Sequence, residues 1–277
     1  MPPATGALVT GGGRGLGARI AEVLAARGHV VHVTDVDAEA ARATADRIGR
    51  GAFSSALDVR DMDACETAAR TTVERAGRLA VWVNNAGVLF TGPAWTNTPA
   101  QRQLMLDVNV GGVMNGTVAA IGQMRSRGGG HVVNIASLAG LVAVPGETVY
   151  SGTKHAVMGF SLSTQADLRR AGVKDVRVSC VCPDGIWTPM LHDRLDDPEA
   201  ALSFSGRLLG VDEVAAAVDR VLDRPRQVTA VPGWRGLEVR IADALPDVAL
   251  RALPLLVAQG RWTQRRLKRK GLPARLR

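Results

Sequence analysis

One loop constrains this chain more than any other stretch. Gly11-Gly12-Gly13-Arg14-Gly15-Leu16-Gly17 separates the apolar run Ala7-Leu8-Val9-Thr10 from residues 18–27. Leu16, Ile20, Val23 and Leu24 follow with helical spacing, so the glycines join a strand to a helix N-terminus. There, backbone N–H groups and the helix dipole can meet a pyrophosphate. A glycine loop by itself is as often a plain turn; its position between strand and helix favours a nucleotide.

The same alternation continues along the chain. Strands are expected at 30–34, 52–57, 79–84, 131–136, 176–182 and 227–231. Helices are expected at 38–48, 61–76 and 99–126, with another carrying Tyr150. Repeated β–α alternation implies α/β architecture: one doubly wound parallel sheet with right-handed crossovers and helices on both faces. Ligands in such sheets bind beyond the carboxyl ends of the strands. Gly11, Gly13, Gly15, Gly17, Asp35, Asp58, Ser137 and segments 84–87 and 183–188 all fall there.

Asp35 ends the second strand, where a carboxylate can accept from an adenosine ribose and repel a 2′-phosphate. It favours NAD over NADP, and the alternative for it is a turn or N-cap role before Ala38-Glu39. Arg14 pulls toward NADP, since a cation in the loop can meet a 2′-phosphate. Tyr150 is the only tyrosine, and Lys154 follows it by one helical turn. A phenol of pKa about 10 is a poor base at neutral pH, and a nearby ammonium lowers it. The pair can then exchange a proton near neutrality. Taken alone, it is equally an ordinary solvated helix face.

With 277 residues the chain suffices for one large domain, and no uninterrupted apolar stretch of about 18 residues predicts a membrane span. The N-terminus lacks a basic export signal, and three cysteines (Cys65, Cys180, Cys182) fit reduced thiols in the cytoplasm. Cys180 and Cys182 share a strand face with no histidine cluster beside them, so no metal site is expected. The net charge of +8 is local: residues 261–277 hold eight basic residues and no acidic ones. The other 26 basic residues are matched by 26 acidic ones, so the high pI belongs to an appendage, and nucleic acid is not an expected partner.

At this point the chain resembles the short-chain dehydrogenase/reductase family over about residues 4–235. Thr10-Gly11-Gly12-Gly13-Arg14-Gly15-Leu16-Gly17 matches its TGxxxGxG loop, and Asn84-Asn85-Ala86-Gly87 matches its NNAG motif. Asp58-Val59 resembles the pair that meets the adenine ring. Asn109, Ser137, Tyr150 and Lys154 match the catalytic tetrad. The resemblance implies a Rossmann-type domain over 1–235 with a substrate lid near 187–210, and a homodimer or homotetramer. It implies hydride transfer between a nicotinamide cofactor and a secondary alcohol or ketone. Tyr150 would be the acid–base group, Lys154 would lower its pKa and hold the nicotinamide ribose, and Ser137 would hold the substrate oxygen. Asn109 would interrupt its helix and hold a water linked to Lys154. The cofactor would meet Gly11, Gly13, Arg14, Gly15, Leu16 and Gly17, then Asn85, Ala86 and Gly87. Beyond them it would meet Pro183, Gly185, Ile186 and Thr188. One departure appears: the family's Pro-Gly after the sixth strand reads Pro183-Asp184-Gly185. Asp184 is read as a turn former, with substrate contact as the alternative.

Two apolar regions, 138–148 and 187–209, would wall the substrate and point to a lipophilic alcohol or ketone; core or interface packing is the alternative. Residues 236–277 form an amphipathic, basic helical extension, which either docks on anionic lipid or covers a neighbouring subunit. Competing readings are an NADP-dependent ketoreductase and a non-catalytic nucleotide-binding scaffold recruited to membranes by the tail.

Overall fold

The computed structural model describes residues 5–273 and residue 276. Strands β1 (Gly6–Thr10) and β4 (Leu79–Asn84) are buried along their whole length. Strands so apolar need cover on both faces, which a parallel sheet flanked by helices supplies. Strands β2 (Val30–Asp35), β3 (Phe53–Ala56), β5 (Gly130–Ile135), β6 (Val176–Pro183) and β7 (Val228–Val231) complete one sheet. Its order is β3-β2-β1-β4-β5-β6-β7, and every pairing is parallel. The order reverses between β1 and β4, which opens a crevice at their carboxyl ends.

Two buried clusters explain the winding. Ile20 and Leu24 of helix α1 (Gly15–Ala26) meet Val214 and Val218 of another helix (Val211–Asp223) on one face, against Val9 and Val33. On the other face, Ala69 and Val73 of one helix (Met62–Ala76) meet Ala120 and Met124 of a second (Gly112–Ser126), against Leu8 and Trp82. After α1, the helices in chain order are α2 (Ala38–Ile48), α3 (Met62–Ala76), α4 (Pro99–Leu106), α5 (Gly112–Ser126), α6 (Thr148–Arg170), α7 (Pro189–His192) and α8 (Val211–Asp223). Helices α9 (Gly233–Ala244) and α10 (Pro246–Lys270) end the chain.

Local chemistry sets the helix starts. Asp37 accepts from Ala40 N at 3.0 Å and caps α2. Asp35 is therefore not the cap, but its Oδ1 accepts from Asp37 N at 3.1 Å, which is the turn contact that was its alternative role. Asp61 caps α3 through Ala64 N at 3.0 Å. Thr98 and Gln101 form a capping box ahead of α4. The expected helix at 99–126 is real but interrupted by a π turn, Asp107–Gly111, which holds Asn109. By length and hydropathy that run could cross a membrane. Here α5 packs on the sheet and α3, as a core helix does.

The tail is helical as expected, and it is docked instead of free. Gln259 Nε2 donates to Ser205 O at 2.8 Å, and Gln264 Nε2 donates to Asp197 O at 2.7 Å. Leu267 is buried beside Leu191, Phe204 and Leu208. A Cβ on Gly260 would stand 1.8 Å from Ala201 O, so α10 lies hard against the lid. Arg275 and Arg277 of the basic run fall outside the described residues.

Candidate active site

The glycine loop owes its shape to contacts that only glycine permits. Gly11 and Gly15 have left-handed backbones, at φ +61° and +57°. A Cβ on Gly17 would lie 2.1 Å from Gly11 O, so α1 starts directly against the loop. Asp35 accepts from Gly13 N at 2.9 Å, which ties the end of β2 to the loop. Arg14 is exposed beside it. The motif after β4 closes the other side. Thr10 Oγ1 accepts from Asn85 N and Ala86 N, each at 3.1 Å, and Asn85 Nδ2 donates to Gly11 O at 3.0 Å. Asn84 lies deeper: its Nδ2 donates to Asn134 Oδ1 at 2.8 Å and to Thr117 Oγ1 at 3.0 Å. It joins β4 to β5 and α5, a sheet-steadying role.

Loop, sheet ends and lid surround one cavity of about 850 Å³. Gly11, Arg14, Gly15, Leu16 and Gly17 line it, as do Asp35, Asp58 and Val59, then Asn85, Ala86 and Gly87. Ser137, Tyr150, Lys154, Pro183, Gly185, Ile186 and Thr188 line it too, from the ends of β5 and β6 and from α6. Of the residues singled out in the sequence, Gly13 and Asn109 stand just behind this lining. Thr188 approaches Gly15: a Cβ there would meet Thr188 Cγ2 at 3.6 Å. The glycine loop and the segment after β6 therefore converge over the crevice.

Ser137 meets Tyr150 because a short 3-10 turn, Leu138–Gly140, packs against α6. A Cβ on Gly140 would stand 2.6 Å from Lys154 O, and Ser151 Oγ donates to Ala139 O at 2.8 Å. Lys154 is buried, its Nζ donating to Ile135 O at 3.1 Å and lying 5.5 Å from the Tyr150 ring centre. Burial pushes its ammonium down to about 8, while the Cys180 and Cys182 sulfurs oppose the shift. Tyr150 is part-buried, with its phenol deep enough for desolvation to dominate. Desolvation pushes that phenol up, the Glu147 charge adds to the rise, and hydrogen bonding to Ser137 opposes it. Lys154 was expected to lower the phenol pKa; among the protein's own groups, burial wins and reverses the direction.

Asn109 is fully buried within the π turn. Its Nδ2 donates to Val88 O at 2.9 Å and Thr153 Oγ1 at 3.1 Å, and its Oδ1 accepts from Val88 N at 2.8 Å. The side chain thus splints α6 to the loop after β4, and it makes no direct bond to Lys154.

Among the polar residues that line the cavity, Arg60, Glu147, Arg194 and Arg235 escaped the sequence reading. Arg60 binds both oxygens of Asp58 at 2.9 Å, which occupies that carboxylate. Asp184 accepts from Gly185 N at 2.9 Å, which is the expected turn contact, and also from Arg235 Nε at 3.1 Å. Burial pushes the Asp184 carboxyl up against the opposing Arg235 charge. Removing either partner of so buried a pair costs about 3–5 kcal/mol. The departure from Pro-Gly at Asp184 was the one signal of this link to α9. Glu147 and Arg194 had no signal at all, being single residues without a motif. Among the described residues, no cluster of His, Cys, Asp or Glu suits a metal ion.

Residues 5–199 match the family described as short chain dehydrogenase. The chain is 33% identical over 217 residues to oxidoreductase UcpA of Salmonella typhimurium, covering 76% of this chain and 81% of that one. It is 30% identical over 263 residues to the putative oxidoreductase SadH of Mycobacterium tuberculosis, covering 92% and 94%. A solved short-chain dehydrogenase/reductase from Burkholderia phymatum, in complex with NAD, superposes with a TM-score of 0.79 at 28% identity, covering 90% of this chain and 95% of that chain. Sheet order, loop geometry and these likenesses agree, and the chain belongs to the short-chain dehydrogenase/reductase family of oxidoreductases.

Proposed function

We propose that this protein interconverts a lipophilic secondary alcohol and its ketone with NAD as cofactor, through Tyr150, Lys154, Ser137 and Asn109. The observation that carries this reading is the meeting of Tyr150, Lys154 and Ser137 at one end of a cavity whose other end is the glycine loop and Asp35. The cradle fits a dinucleotide: the loop leads into the α1 N-terminus, side chains at Gly11 or Gly17 would collide with Ala86 or with the loop itself, and Gly15 holds a left-handed backbone. Residues 11–17 would hold the pyrophosphate and Asp35 the adenosine ribose, with Asp58 and Val59 beside the adenine. Asn85, Ala86 and Gly87 would flank the cofactor. Tyr150 and Lys154 would hold the nicotinamide ribose, and Pro183, Gly185, Ile186 and Thr188 the carboxamide. When bound, nicotinamide supplies the hydride donor or acceptor.

The chain supplies the proton. In oxidation Tyr150 takes the hydroxyl proton; in reduction its phenol protonates the carbonyl oxygen. Ser137 donates a hydrogen bond to that oxygen as charge develops. Lys154 keeps a positive charge beside the phenol, and Asn109 holds the π turn and α6 in register. Because burial raises the phenol, the protein's own groups favour the protonated, reducing form at neutral pH. Alkaline pH favours oxidation.

Asp35 supports NAD over NADP, because a carboxylate beside the ribose position repels a 2′-phosphate while Arg60 is tied to Asp58. The NAD in the Burkholderia relative agrees. Val142, Val144, Met190 and Leu202 give the cavity apolar walls, and Leu253 and Leu256 of α10 extend them. Residues 1–235 would thus form the dehydrogenase unit, and 236–277 would complete its lid. Leu106, Met114 and Val118 form an exposed apolar face on α4 and α5 that suits a homodimer or homotetramer. Val248, Leu255 and Trp262 recur every seven residues on the exposed side of α10, near cations such as Arg265 and Arg269 that have no ion pair with a described residue. That face suits peripheral contact with anionic lipid, which a flotation assay with phosphatidylglycerol vesicles at low salt tests. The cofactor reading is tested by titrating with NADH and NADPH while following tryptophan emission. NADH is expected to bind at least about tenfold more tightly. Tighter NADPH binding would replace NAD by NADP, and binding of neither would remove the enzyme reading.

A further inference from the structure

Glu147 is a carboxyl in the 138–148 wall, whose other cavity-lining residues are apolar. It sits between Pro145-Gly146 and the first turn of α6, three residues before Tyr150, and only 2% of its surface is exposed. Three contacts fix its backbone. Glu147 O accepts from Ser151 N at 2.8 Å, and Gly92 N donates to Gly146 O at 2.6 Å. Gly146 is left-handed, and a Cβ there would lie 2.3 Å from the lid residue Glu199 O. The segment is therefore clamped between the 88–97 loop, α6 and the lid.

The side chain is only half used. Ser203 Oγ in the lid donates to Glu147 Oε1 at 2.5 Å. Oε2 accepts no hydrogen bond from a described residue, and it is not among the sealed polar atoms that lack a partner. Glu147 lines the cavity together with Tyr150, Ser203 and Arg194. Arg194 is felt electrostatically but forms no ion pair with it; its guanidinium donates to Leu89 O. A fixed carboxyl with one oxygen open to an apolar cavity meets a desolvation cost unless a ligand group completes it. Burial raises its pKa to about 7, so near neutrality it can donate to a carbonyl or accept from a hydroxyl.

Resting on the alcohol–ketone reading above, we propose that Glu147 is a specificity-determining residue whose free Oε2 hydrogen-bonds a second oxygen, carbonyl or hydroxyl, on the substrate. The substrate class is then a diketone, hydroxyketone or diol with an apolar frame, and a plain monofunctional alcohol is a poorer fit. A site built to bond a polar group discriminates strongly against analogues lacking it, because its own group is left unpaired.

The test compares matched ketones: cyclohexanone against cyclohexane-1,2-dione and cyclohexane-1,4-dione. Full-length enzyme with NADH is measured as wild type, Glu147→Gln, Glu147→Ala and Ser203→Ala. We expect wild type to favour one dione by at least about tenfold in kcat/KM. In Glu147→Ala that ratio collapses toward one. Ser203→Ala, which loosens the lid but keeps the carboxyl, lowers both ketones together and keeps the ratio. Glu147→Gln, which retains an acceptor for Ser203, serves if the alanine variant does not fold, and it should reduce the ratio by several-fold. A wild-type ratio near one, or equal losses for both ketones in the Glu147 variants, would overturn the inference and leave a lid latch. If neither ketone turns over, the alcohol–ketone reading fails; calorimetric binding of the same ketones then decides this one, and equal or absent binding overturns it.

Discussion

The two ends of the cavity are built by different means. At the cofactor end, backbone makes the surface: glycines with left-handed φ, a strand end and a helix start lie within seven residues. At the substrate end, side chains from distant segments make it: the wall after β5, the lid after β6, and α10. Both ends rely on a close approach, Gly17 against Gly11 O and Gly260 against Ala201 O. The first is local in sequence, and the second joins segments about sixty residues apart. A backbone-built site accepts a fixed ligand geometry, while a side-chain-built one can be retuned residue by residue, as the family's range of substrates requires.

The sharpest way to separate the ends is Tyr150→Phe. It should lower kcat by about a thousandfold while NADH affinity changes less than about threefold, measured by steady-state kinetics and emission quenching. Parallel losses in both would mean that the ends do not act separately. Gly17→Ala comes next. Its methyl meets Gly11 O, and NADH affinity should fall at least about tenfold. Gly260→Ala should leave NADH affinity within about twofold and raise KM for the ketone several-fold, because α10 must move off the lid to relieve the 1.8 Å approach to Ala201 O while the glycine loop is untouched. If Gly260→Ala weakens NADH binding as much as Gly17→Ala, the comparison breaks.

The smallest effect is on stability. Glu147 titrates at about 7 in the folded chain against 4.5 as a model carboxyl. Between those values the folded state holds a proton that the unfolded state has released. Stability from this group is therefore full below about 4.5 and is lost as pH rises through about 7. Glu147→Gln escapes that loss, at most on the order of 3 kcal/mol. Its melting temperature should gain a few degrees on wild type at pH 8 compared with pH 5. An equal difference at both pH values would mean that folding does not raise the Glu147 pKa.

The comparison also separates what was legible from what was not. Glycines, Asp35 and the Asn84-Asn85-Ala86-Gly87 run were readable because each acts within or beside its own strand–turn–helix unit, where short-range spacing is the geometry. Tyr150 and Lys154 were readable for the same reason, being one helical turn apart. The direction of the Tyr150 pKa was not. Pair spacing shows the ammonium, whereas the burial of the phenol and the charge of Glu147 beside it depend on how distant segments pack. The C-terminal run was read correctly as helical and basic, yet its docking on the lid was invisible, because amphipathy shows that a face is apolar without showing what covers it.

By itself the sequence determined the parallel sheet, the helix positions and the cofactor cradle, since periodicity, capping and glycine conformations are local properties. Only the tertiary structure decided three things. Asp184 pairs with Arg235, Gly260 of α10 seals the lid, and Glu147 keeps one oxygen open to the cavity. Each depends on which distant segments meet and how much water they exclude, and desolvation is a property of the assembled fold, not of any stretch of chain.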